Sequence, residues 1–158
     1  MTTDYKTKMF FGTAQTLFDS ATDIAGGAFS AAGTAFDNTS DAAVPYATHA
    51  VAMIEMPDWA AAPVANTAVS LYGLMVDVDG TDDDTDAPSA AAIGGARFLG
   101  LWVIAAADAL QRRTIVISLE GITKFTPYIF NGTAQNMNND GGTNMILKVT
   151  PFTYGATV

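Results

Sequence analysis

The chain has 158 residues, 16 acidic and 7 basic side chains, a formal charge of −9 and no cysteine. That length fits one domain with a sizeable core. The missing thiols exclude disulfides, thiolate metal sites and cysteine nucleophiles, and the anionic balance argues against nucleic acid or anionic lipid as partners.

Residues 1–24 hold no sustained period. Tyr5, Met9, Phe10, Phe11, Leu17 and Phe18 are scattered among Thr, Asp and Lys. They read as an N-terminal arm, either frayed or docking its aromatic side chains on another subunit. Two lysines without a long apolar run behind them make no secretory signal. Residues 25–158 read as one β domain. Short apolar runs punctuated by Gly, Pro, Asn and Asp predict strands near 26–31, 33–37, 46–56, 66–78, 96–106, 112–120, 125–131 and 145–154. Eight strands with mixed connections suit an all-β, jelly-roll-like sandwich with an extended N-terminal arm. An up-and-down barrel and an immunoglobulin-like sandwich are alternatives, the latter without its Cys-Trp-Cys pattern.

Three segments carry the detail. In "AVSLYGLMVDVDG" Val69 and Leu71 share one parity while Leu74, Val76 and Val78 share the other, so a bulge is expected near Gly73. "FLGLWVIAAA", 98–107, is apolar on both parities, so one face meets the core and the other needs a loop, the arm or a second subunit. It is too short for the roughly 20 residues of a membrane helix, so a soluble chain without a membrane partner is expected. In "RTIVISLE" Ile115, Ile117 and Leu119 alternate with Thr114, Val116, Ser118 and Glu120, the pattern of a strand wet on one face. Pro151, without a backbone donor, belongs at an edge or a local break.

Chemistry is sparse. The aspartates between Asp77 and Asp86 form a dense acidic loop, but it breaks the EF-hand spacing and reads as solvated, so no metal or other cofactor is expected. His49, the sole histidine, has no nucleophile elbow to serve. Glu55 and Glu120 are the residues that a carboxylate pair for sugar hydrolysis would use. The sequons at Asn38 and Asn131 lack a secretory route. Trp59 and Trp102 are candidate stacking platforms, with core or interface packing the competing role of Trp102. No enzyme is expected.

The segments "MTTDYKTKMFFGTAQ", "LYGLMVDVDGTDDDTDAP" at 71–88, "GARFLGLWVI" at 95–104, "RRTIVISLEGI" at 112–122 and "GGTNMILKVTPFTY" at 141–154 occur in this order. In that order they resemble a family of tailed-bacteriophage virion structural proteins, those of the capsid decoration or cement type. The resemblance implies a β-sandwich on the outer surface of the virion head, bound in many copies to the major capsid protein, assembled in the host cytoplasm. A homotrimer would match the threefold positions of a shell lattice. The contact residues it suggests are Tyr5, Met9, Phe10, Phe11 and Phe18 of the arm, with Trp59 and Trp102. A phage tail or baseplate protein and a carbohydrate-binding module are the alternatives.

Overall fold

The computed structural model describes residues 6–76, 86–89, 92–137 and 143–157. Its elements are all strands: β1 (Lys6–Phe11), β2 (Gln15–Ser20), β3 (Phe36–Asp37), β4 (His49–Met56), β5 (Ala68–Val76), β6 (Arg97–Val103), β7 (Gln111–Ser118), β8 (Lys124–Asn131) and β9 (Met145–Thr157). They form two antiparallel sheets, one ordered β1-β9-β4-β7 with β2 also on β9, the other β3-β8-β5-β6. The chain is an all-β sandwich. Its pairing is nested: β1 and β2 meet β9, β3 meets β8, β4 meets β7 and β5 meets β6.

The segment expected as an arm supplies an edge of the first sheet. β1 lies along Phe152–Thr157 and β2 along Met145–Val149, so the two are one strand interrupted at residues 12–14. Pro151 explains the interruption. Its carbonyl accepts from the Gly12 N–H at 2.8 Å, and in an antiparallel ladder a residue's N–H and C=O point the same way. The donor that proline lacks is therefore missing on this side, and the neighbouring strand breaks there. The Asp41 carboxylate fills the gap by accepting from the Thr13 N–H. A register shift between Thr16 and Phe18 then lets both Leu17 and Phe18 enter the core. That bulge hid the strand, because adjacent inward residues obey neither period.

Residues 26–31 do not form the expected strand. They run beside β8 irregularly: Gly27 bonds Asn131, Ser30 bonds Ile129, Gly33 bonds Pro127, and only Phe36–Asp37 pairs regularly. From Gly27 to Phe36 the chain advances nine residues while β8 advances six, from Asn131 to Phe125. An extra residue in every step prevents alternation, and small Gly, Ala and Ser side chains permit it.

The bulge expected in β5 lies in its partner. β5 pairs with β8 without a break from Val69↔Asn131 to Val76↔Lys124, whereas β6 slips between Leu71↔Gly100 and Tyr72↔Phe98. The slip turns Leu99 toward the core and leaves Phe98 outside. Gly73 keeps the inward parity, and a Cβ there would come within about 3.0 Å of Leu99, Met75 and Phe125. Those side chains use the space.

Burial alternates along β4, where Ala50, Ala52, Ile54 and Met56 face inward, and along β7 as expected for Ile115, Ile117 and Leu119. Ala50 and Ala52 are small on a sheet that faces large residues, among them Trp102, Phe36 and Phe125. The Trp102 indole N–H donates to the Ala52 carbonyl at 3.3 Å, so this indole, unlike that of Trp59, is not an orphaned donor. Two glutamine amides seal the flanks by imitating a peptide group. Gln15 exchanges two hydrogen bonds with the Asp37 backbone, at 2.9 and 3.1 Å. Gln111 does the same with Ala105, both at 3.0 Å, and also donates to Ala107.

Candidate functional site

Among the expected contact residues, Tyr5 lies outside the described residues, as does the acidic loop except for Asp86. Met9, Phe10 and Phe11 are exposed on β1. Phe18, Trp59 and Trp102 are not surface residues: each is at most 6% exposed and belongs to the core cluster. Pairing with β9 carries Phe18 inward, and Trp102 sits opposite Val69 on the inward parity. Trp59 is fixed through its backbone by the Asp108 carboxylate at 3.1 Å and by a bridge to Met137. With both indoles enclosed, the stacking platform that motivated a carbohydrate-binding reading is absent from these residues.

The residues with chemical potential are spread apart. His49 contacts the Thr48 hydroxyl at 2.9 Å and stacks on Phe152, ring centroids 5.5 Å apart. Glu55 pairs with Arg112 at 2.6 Å, while Glu120 follows β7 beyond Ser118, at the other end of the same ladder. At about 3.3 Å per residue the two carboxylates are roughly 20 Å or more apart, too far for the 5–10 Å or so of a glycosidase pair. The sequon asparagines are internal ties. Asn38 donates to Ala47 and Ile122, and Asn131 to Ile24 and Gln135. A groove of about 290 Å³ beside Phe18, Ile24, Phe29 and Met145 has no charged side chain other than Asp23.

The feature that stands out is the outer face of the second sheet. Because Trp102 points inward, Leu101 and Val103 point out, and the β6 bulge adds Phe98 to them. These three are 43%, 52% and 49% exposed. Register places Leu101 beside Ser70 and Phe98 beside Tyr72, with Tyr128 and Phe130 next on β8. Phe29 folds over this surface, 4.8 Å from Phe130 and 5.3 Å from Tyr72 between ring centroids, and Tyr72 meets Phe98 edge-on at 5.6 Å. Of the outward positions on the three described strands, only Lys124 at one end is charged. The result is an aromatic and aliphatic surface that is exposed along β6 at Phe98, Leu101 and Val103 and covered toward β8, where Phe29 lies over Phe130 and Tyr128 is buried. The two-sided strand is legible in the sequence, and of the two roles open to Trp102 there, contact and core, the core role is the one it takes. The residues that face out are identified by parity, which depends on register.

Comparison of the chain with known protein families, curated proteins and solved structures finds no match.

Proposed function

We propose that the chain is a bacteriophage capsid decoration protein, an adhesive unit that binds the major capsid protein on the outer head surface and bridges its subunits. The observation that carries this reading is the exposed row of Phe98, Leu101 and Val103 on β6, with the half-buried Tyr72 beside it. A contiguous apolar patch on a soluble surface marks an interaction site. The resemblance of the motifs at 71–88, 95–104, 112–122 and 141–154 to virion proteins supplies the partner. The nested pairing also favours the jelly-roll reading. With β1 and β2 counted as one strand, the sheets run 1-8-3-6 and 2-7-4-5, the order obtained by rolling up one long hairpin.

The magnitudes suit a repeated contact. Full burial of a Val, Leu or Phe side chain contributes about 1.5–3 kcal/mol, and these residues are already half buried. Three of them yield roughly 3 kcal/mol, below the roughly 4–15 kcal/mol that association costs in lost motion. The whole face, including Tyr72, Phe29 and Phe130, must engage, and strength comes from many copies on one shell.

The test is co-sedimentation with purified heads that lack the protein. The wild type pellets with heads, in a copy number that matches the head lattice rather than the tail. Leu101→Asp places a charge at the centre of the face and abolishes pelleting, with an unchanged circular dichroism spectrum. Equal binding by a folded Leu101→Asp protein overturns the proposal.

A further inference from the structure

The first sheet ends in a two-stranded ribbon. β4 stops pairing with β9 at His49↔Phe152, whereas β1 continues along β9 to Lys6↔Thr157. Beyond Thr153, which Thr48 adjoins, residues 154–157 thus have β1 on one side and, among the described residues, an empty lane on the other, in line with β4. The phase of the ladder is fixed by Gly12, whose N–H bonds the Pro151 carbonyl. Odd-numbered residues of this stretch turn their backbone groups to β1, so the N–H and C=O of Tyr154 and Ala156 point into the empty lane.

The ribbon is poorly suited to standing alone. Met9, Phe11 and Tyr154 lie on one face at 39%, 53% and 53% exposure, and Phe10 lies on the other at 40%. An isolated two-stranded ribbon is marginal in water. Proteins ordinarily blunt a free edge with charge, proline or a bulge, yet residues 153–157, "TYGAT", carry none of these.

We propose that the empty lane takes the same segment of a second copy, running antiparallel about a two-fold axis through Gly155. The backbone phase is self-complementary. The axis sets Tyr154 opposite Ala156 of the partner subunit, and Ala156 opposite the partner subunit's Tyr154, so outward donors meet outward acceptors on both sides. The segment is also uncharged, so pairing it with itself opposes no like charges, while the net charge of −9 repels a copy over the rest of the surface. The contact extends the β4–β9 lane and yields a four-stranded sheet, β1-β9-β9-β1. Met9, Phe11 and Tyr154 of both copies share one of its faces. The pair is a closed two-fold dimer in place of the threefold expected from lattice positions. It does not depend on the capsid reading.

The experiment is light scattering coupled to size-exclusion chromatography over micromolar to submillimolar protein. The wild type is a dimer. Ala156→Pro deletes a donor that faces the lane and none that faces β1, so it gives a monomer whose melting temperature stays close to that of the wild type. In the cysteine-free chain, Gly155→Cys combined with Phe10→Ala, which clears the ring edge 2.7 Å from the new Cβ, forms a disulfide-linked dimer under oxidation. The axis sets the two residues about 4.5 Å apart at their Cα atoms. A wild-type monomer at all concentrations, a trimer, or a dimer that survives Ala156→Pro overturns the proposal.

Discussion

Asp41 carries an unusual share of the local order for one carboxylate. It accepts from the Thr13 N–H and from the Ala43 N–H at 2.8 Å, so one side chain ties the break between β1 and β2 to the loop before β4. The Thr13 hydrogen bond, then that of Ala43, holds its carboxyl below the usual aspartate range. Asp37 is lowered likewise, chiefly by hydrogen bonds from Thr39, then by Lys124. The sign follows from linkage. A carboxylate depressed by folding contributes stability above its unfolded value of about 3.9, and that contribution is lost as pH falls through the folded value. Acidification below about pH 4 therefore loosens the 12–14 junction. The protection factors of the Gly12 and Thr13 amides fall in that window, and Asp41→Asn lowers them at neutral pH while flattening their acid dependence. Neither role was legible in the sequence. Asp41 sits in a polar stretch indistinguishable from a solvated loop, and its partner is 28 residues away.

At the level of elements, the alternating strands were readable and the bulged ones were not. The 112–120 segment alternates as expected because β7 lies flat between the core and water with no slip against β4. β2 and β6 each place two adjacent residues, Leu17 with Phe18 and Phe98 with Leu99, where alternation allows one. Such a slip belongs to a pair of strands, so one strand's sequence cannot assign it, and the β6 bulge was read into β5. The same limit applies to the site. A two-sided apolar strand announces an uncovered face, but which of Leu101 and Trp102 faces out depends on Val69 opposite. Where two strands meet at a corner, side chains replace the ladder. Gln111 is 4% exposed and completes the β6–β7 corner through Ala105 and Ala107. Gln111→Ala leaves those backbone groups unpaired and costs about 1–3 kcal/mol in urea unfolding. Gln15→Ala, at a wetter corner, costs less.

On the scale of the whole molecule, nearly every ladder joins strands distant in the chain, as between β1 and β9 or β3 and β8. Loop closure precedes the reward in such a fold, and all-β domains of this kind fold in milliseconds to seconds. The body then resists deformation as a unit, because two sheets share one core from Leu17 to Val149.

Nested pairing also brings the beginning and end of the described chain together, with Lys6 opposite Thr157. Facing residues in an antiparallel pair are about 5 Å apart at Cα, so a few glycines suffice to stitch residue 157 to residue 6. A circularly permuted chain, opened in the exposed 60–66 loop instead, keeps the native spectrum and unfolds in a single transition. Peptides joined at residue 6 or at residue 157 would start side by side at one corner of the molecule, so the two positions offer a single address for display.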